Sequence, residues 1–248
     1  MVTSAYLGFS DLTYPSVLRL RQGECISLHE LTDLKTFWQI YLRRIYPVAI
    51  SDTVIVDVGA NTGLFTLYAA RRASHASIVS IEPFPDTFER LVQTVRDHNL
   101  TDRVTCLNYA VTGKSAIYLM PDVPLPSQRR NVVAFAADKA GTQVRGRTLC
   151  ELLRECSLDR VDLLKMDIEG GEYEALLSAH PDVLRSIRRI SLEYHGHSAP
   201  YTKQQIFDHL YNAGFKVTSD IHNSRGYGVL EAINTHSPTT RTYPREAA

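Results

Sequence analysis

A chain of 248 residues, 44% of them apolar and 22% charged, with ordinary glycine and proline content, can bury one sizeable core, so one globular domain is expected. Lys plus Arg and Asp plus Glu balance at 27 each, which excludes a global attraction to nucleic acid, to an anionic membrane or to a polyanion, and points to a small or uncharged partner. Cys25, Cys106, Cys150 and Cys156 form no CxxC pair, no signal-like basic and apolar stretch opens the chain, and no apolar run reaches the roughly 20 residues that span a bilayer; a cytoplasmic protein without structural zinc or a membrane segment is the expectation, and homo-oligomers stay open.

Residues 1–51 read as an N-terminal cap or helical extension. After an irregular start, residues 17–20 have the character of a strand. Leu31, Leu34, Phe37, Trp38, Tyr41, Leu42 and Ile45 then recur at helical spacing until Pro47 closes the run. From Asp52 to residue 236 strands and helices alternate. Residues 54–66, VIVDVGANTGLFT, read as strand, glycine loop and helix; 78–82 (IVSIE) as a second strand; 85–98 as a helix; and 104–111 (VTCLNYAV) as a third strand. Between Gly113 and Arg147 the pattern breaks into a small β insertion, with short antiparallel strands at 116–120 and 132–136. The proline-rich loop PDVPLPSQRRN between them carries Arg129 and Arg130 and is a lid in form.

After the insertion come a helix at 149–156, a fourth strand at 161–166 (VDLLKM), a helix from about Glu172, a fifth strand at 190–194 (ISLEY) and a helix at 202–213 capped by Gly214. Residues 215–221 and 227–233 are joined only by the turn HNSRG, so they pair antiparallel. The fold class is therefore α/β: a Rossmann-like, mostly parallel seven-stranded sheet with an antiparallel last strand, followed by a loose tail at 237–248.

The glycine loop decides between cofactors. A dinucleotide fingerprint beginning at Gly59 needs glycines at 61 and 64, where Asn61 and Leu64 stand, which disfavours an NAD(P)-dependent oxidoreductase. The pattern present, Asp57-x-Gly59-x-x-x-Gly63, resembles the first motif of class I S-adenosylmethionine-dependent methyltransferases. That resemblance implies that Asp57, Gly59, Asn61 and Gly63 hold the methionine part of the cofactor. Glu82 ends the second strand, and an ionised carboxylate there accepts both hydroxyl protons of a ribose, as the acid at that place does in the family. By the same family logic Asn108 to Ala110, at the end of the third strand, lie near the adenine.

A narrower resemblance follows from VDLLKMDIEGGEYE (161–174), RISLEYH (189–195) and TLCEL (148–152). Together they look like the FkbM family of methyltransferases, whose fourth strand ends in a D-x-E-G-x-E motif and whose fifth ends in an acid followed by a His. The resemblance spans roughly residues 52–234. It implies S-adenosylmethionine as cofactor and O-methylation of a natural product, sugar or glycan. The alternative is a non-catalytic cofactor-binding or assembly subunit, which would keep Asp57, Gly59 and Glu82 yet tolerate loss of His195.

Asp57 and Asp167 close neighbouring strands at the crevice where open α/β sheets bind ligands, and either is placed to meet the cofactor's ammonium group. An alcohol acceptor needs a base, and His195 is the first choice because an unperturbed imidazole is neutral at cytoplasmic pH; Asp167 and Glu193 are the alternatives. Glu169, Glu172 and Glu174 read as favourable charges at a helix start. No metal is expected. The rival is an oxygen and nitrogen site of Asp167, Glu193, His195 and His197, which requires the strand to continue through Gly196.

Overall fold

In the computed structural model, residues 13–20, 25–121, 133–134, 141–196, 201–223 and 226–236 are described. The proline-rich loop with Arg129 and Arg130, His197, and the tail from residue 237 lie outside them. The chain separates into two compact units, Met1–Tyr46 and Pro47–Ala248.

In the first unit, β1 (Ser16–Arg19) and β2 (Cys25–Leu28) pair antiparallel and are followed by α1 (Leu31–Phe37). The helical periodicity continues past α1, but residues 38–42 are wound as a π turn, closed by Arg43 N–H donating to the Trp38 carbonyl. Phe37 and Tyr41 stack with ring centroids 4.6 Å apart. Asp33 caps the start of α1, accepting from the His29 and Glu30 amides at 2.6 and 3.1 Å.

The second unit is built on a seven-stranded sheet. Its strands are β3 (Val54–Val58), β4 (Ser77–Ile81), β5 (Val104–Leu107), β10 (Leu163–Met166), β11 (Arg189–Tyr194), β12 (Phe215–His222) and β13 (Gly228–Asn234), arranged β12-β13-β11-β10-β3-β4-β5. All the neighbours from β11 to β5 are parallel, and β13 runs antiparallel to both β11 and β12. The expected sheet with one reversed last strand is present, and β13 lies between β11 and β12. The helices are α2 (Leu64–Arg72), α3 (Pro85–Asp97), α4 (Leu149–Glu155), α5 (Glu172–Leu177), α6 (Pro181–Arg185) and α7 (Lys203–Asn212). Val56, Val58, Leu164, Met166, Ile190, Leu192 and Leu230 form the sheet's share of the core, packed with Leu152, Tyr173, Leu184 and Leu210. Central strands covered on both faces carry apolar side chains almost without interruption, which is why VIVDV and LLKM are legible as strands.

The third expected strand divides. Its first half is β5, while β6 (Ala110–Val111) turns away to pair with β9 (Gly141–Arg147). With β7 (Ile117–Pro121) and β8 (Val133–Ala134) these make a four-stranded sheet of order β6-β9-β7-β8. The insertion is thus a sheet rather than a hairpin, because GTQVRGR, too polar to declare itself, pairs with β7.

The N-terminal edge of the main sheet is stapled by ion pairs. Asp162 accepts from the Thr53 amide and hydroxyl at 2.7 Å each and from the Val54 amide at 3.1 Å, while Arg160 and Arg188 approach its other oxygen. Asp52 takes Arg188 and Arg189, each at 2.5 Å. Burial disfavours the Asp162 charge, but the Thr53 bonds and the guanidinium of Arg160 hold its carboxyl below the usual range. These residues precede or open β3, β10 and β11, so the staple lies at the edge opposite the strand ends that face ligands.

Candidate active site

At the carboxyl edge, the loop after β3 reverses within five residues. Gly59 has φ +75°, and a Cβ there would stand 1.9 Å from the Asp167 carbonyl oxygen; only glycine lets the loop lie against the end of β10. Gly63, at φ +91°, enters α2 against Leu91 and Thr94 of α3. The loop amides turn towards β4: Gly59 N–H and Ala60 N–H both donate to the Ile81 carbonyl at 3.0 Å, and Asn61 N–H donates to Glu82 Oε2 at 2.9 Å. Asn61 is left-handed, φ +50°, and its own Oδ1 accepts from Thr62 N–H.

Glu82 is buried at the end of β4, its second oxygen accepting from the Phe84 amide at 3.1 Å. Burial raises its pKa to about 7 against those two bonds. Asn108 is exposed and donates to the Glu82 and Pro83 carbonyls at 2.9 and 3.0 Å, pinning the segment after β4. Ala110 is buried on β6 and pairs with Gly146.

Asp57 does not end the strand; it lies one residue short of its end, fully buried, and is engaged from inside the sheet. Thr66 donates to its Oδ2 at 2.7 Å and Lys165 Nζ lies 3.2 Å from its Oδ1. Asp167, half-buried just beyond β10, is the acid of the pair that lies against the loop itself, through its carbonyl at Gly59.

The turn DIEGG after β10 is organised by Glu172. Its Oε1 accepts from Ile168 N–H and its Oε2 from Gly170 N–H, both at 2.9 Å, and His195 Nδ1 lies 2.9 Å from Oε1. On the other side of the ring, Glu169 Oε2 stands 3.5 Å from Nε2. Glu169 is a left-handed residue, φ +53°, a conformation that an ordinary side chain adopts at a cost. Tyr227 meets the imidazole edge-on at 5.3 Å between ring centroids.

His195 is therefore not the neutral imidazole that an isolated histidine would be. Burial works against its charge, but the bond to Glu172 and the fields of Asp167 and Glu169 prevail and raise its pKa to about 9. Burial and the neighbouring Asp167 push Glu169 up to about 7, with His195 acting the other way.

Of the acids and bases expected from the sequence, Asp167 and His195 meet at one place, and Glu193, half-buried on β11, adds to the negative field on Lys165 and Glu169. Glu172 and Glu169, which read in sequence as charges at a helix start, and Lys165, which nothing in the sequence singled out, are the further participants. The signal for Glu172 was its place in D-x-E-G-x-E. Among the described residues, donor atoms of Asp167, Glu172 and His195 converge within 4.8 Å, whereas Glu193 is outside that group. Glu172 already accepts two amides and faces the imidazole, so its oxygens are committed to holding the turn and the ring. The groups as a whole, carboxylates just beyond β10 and the Glu82 carboxyl just beyond β4, suit a cationic sulfonium and ammonium compound carrying a ribose.

Residues 57–217 match the methyltransferase FkbM domain, about two thirds of the chain. The chain is 27% identical over 213 residues to the methyltransferase sdnD of Sordaria araneosa, covering 73% of this chain and 82% of that protein. It is 26% identical over 157 residues to the hexuronic acid methyltransferase AglP of Haloferax volcanii, covering 63% of this chain and 62% of the relative. Its fold is similar to that of a solved FkbM methyltransferase from Methylobacillus flagellatus, with TM-score 0.56 and 16% identity over 79% of this chain, which spans about half (47%) of that longer chain. The chain belongs to the FkbM family of methyltransferases, and its cofactor is S-adenosylmethionine.

Proposed function

We propose that the protein is an O-methyltransferase acting on a hydroxyl of a natural product, sugar or glycan. The observation that carries this reading is His195, held by Glu172 through Nδ1 with Nε2 turned towards the acidic turn that the glycine loop abuts. A hydroxyl acceptor needs a proton acceptor, and an imidazole oriented by a buried carboxylate is one. The name of one relative, a hexuronic acid methyltransferase, supports an oxygen acceptor on a sugar.

In this reading the glycine loop from Gly59 to Gly63 and Asp167 receive the methionine part of the cofactor. Glu82 takes the ribose hydroxyls, and Asn108 and Ala110 border the adenine. Asp57 acts from beneath the loop. When bound, the cofactor supplies an electrophilic methyl group on a sulfonium. The chain's own residues orient the acceptor and move its proton: Glu172 positions the ring, His195 takes the proton at Nε2 in the form that has lost its own proton there, and Glu169 tunes that nitrogen. Asp167 and Glu193 are the other carboxylates in reach of the role.

Incubation with isotope-labelled S-adenosylmethionine and a panel of sugar and natural-product alcohols, read by mass spectrometry, tests the substrate class. Label on an oxygen is expected; label only on nitrogen or carbon would sink it. A non-catalytic cofactor-binding subunit is the second reading. His195→Ala that leaves turnover intact would remove His195 from the chemistry, and no turnover of any acceptor by protein that binds cofactor would favour the subunit.

A further inference from the structure

Beneath the cofactor loop lies a buried cation to which methyl transfer gives no task. Lys165 is the third residue of β10, and its side chain is 4% exposed. In the parallel register it lies beside Asp57 of β3, and Asp57 lies beside Ser80 of β4, so one polar row crosses three central strands whose other side chains are largely apolar. Thr66 of α2 closes the row from above, donating to Asp57 Oδ2 and lying 2.8 Å from Ser80 Oγ.

The Lys165 ammonium reaches along the strands to the loop. Nζ donates to the Gly59 carbonyl at 2.8 Å and lies 3.4 Å from the Val58 carbonyl and 3.2 Å from Asp57 Oδ1. The Phe65 ring is 5.8 Å away, within cation–π range. Burial alone would pull the ammonium towards neutrality, yet Asp57, Asp167 and Glu193 outweigh it and keep the charge. A buried ion pair contributes little stability over an apolar pair of similar volume, so a plain packing role would be served as well by leucine or methionine. What an apolar residue lacks is the donor that holds the Gly59 carbonyl. The amides of Gly59, Ala60 and Asn61 are tied to β4 and Glu82, while this carbonyl is held from the β10 side, by the residue two before Asp167.

We infer that Lys165, anchored by Asp57, is a positioning residue that clamps the Gly59 carbonyl and holds the glycine loop in the conformation that receives the cofactor. This rests on the assignment of that loop to the cofactor. It also gives Asp57 its task, which is to neutralise and aim Lys165.

Lys165→Met removes the donors at nearly constant volume but strands the Asp57 charge, so it is compared with the charge-neutral double variant Lys165→Met/Asp57→Asn. Three quantities are measured: calorimetric affinity for S-adenosylhomocysteine, hydrogen exchange of the amides of residues 59–63 in ligand-free protein, and the KM for S-adenosylmethionine against kcat. The double variant is expected to fold, to bind S-adenosylhomocysteine roughly tenfold more weakly, a loss of about 1.4 kcal/mol. Its loop amides exchange faster, and its KM for the cofactor rises by a larger factor than kcat falls. A folded double variant with wild-type affinity and wild-type loop exchange overturns the inference. So does failure of both variants to fold, which would assign Lys165 to the core alone. Wild-type protein that does not bind S-adenosylhomocysteine would instead overturn the assignment of the loop to the cofactor.

Discussion

At His195 the pH dependence of turnover separates the candidate proton acceptors. A base must be unprotonated, so kcat/KM for the acceptor should rise with pH, reach half its maximum near pH 9 and level off above it if His195 serves, because its pKa is raised to about 9. A half-maximum near pH 7 would assign the step to Glu169, raised to about 7. Glu172→Gln keeps an acceptor for one amide but removes the charge opposite Nδ1, and should move a His195 break downward, towards the ordinary imidazole value near 6.5. An unmoved break would exclude the Glu172–His195 pair as the source of the profile. The sequence made His195 visible by its place after the fifth strand, but not its charge state. That state comes from Glu172, Glu169 and Asp167, whose convergence is set by a tight turn with a left-handed Glu169. For Asp57 only the position was misplaced: an acid before a glycine loop looks the same in sequence whether or not it ends its strand, and the β3–β10 register sets it one residue short of the end, beside Lys165.

Among the elements, those with strong periodicity were legible. The strands β3, β4, β10 and β11 and the helices α3 and α7 fall within a residue or two of their expected bounds, since apolar side chains on the covered sheet leave little freedom. The strands β2, β6 and β9 and the short helix α6 were not, because each is defined by a partner distant in sequence or is too short to show a period. The staple at the starts of β3, β10 and β11 belongs to this class: nothing in the sequence assigned partners to Asp52 and Asp162, yet they tie three strands at their starts. Asp162→Ala removes a buried acceptor from two amides and a hydroxyl, and should cost about 3 kcal/mol. Thermal midpoint is expected to fall by roughly 6–12 °C for a chain of this size. Cofactor affinity should be unchanged, because the staple is at the opposite edge of the sheet from the glycine loop; a parallel loss of affinity would contradict that separation.

For the whole molecule, equal numbers of basic and acidic residues conceal an uneven proton balance on folding. Glu82, Glu169 and Glu231 all rise to about 7 in the folded chain, chiefly by burial, and His195 rises to about 9. Each is raised above its unfolded value, near 4.3 for Glu and 6.5 for His, so each contributes stability that is complete below that value and is lost as pH rises through the folded pKa. Asp162 and Asp220 are shifted the other way, and their contribution is already in place above roughly pH 4 to 5, near the unfolded Asp value. Ligand-free protein should therefore be most stable in mildly acidic solution, and its thermal midpoint should decline from about pH 5 through pH 9. Over the same interval His195 and Glu169 lose the protons that block them as bases, so turnover rises while stability falls. Saturating S-adenosylhomocysteine adds stability by mass action, about 2.7 kcal/mol at a hundredfold excess over Kd, and should raise the midpoint across the range. A ligand-free midpoint that is flat or increasing between pH 5 and 9 would show that these four groups do not together carry the raised pKa values, and the pH profile of a His195 base would then break near the ordinary imidazole value instead of near 9.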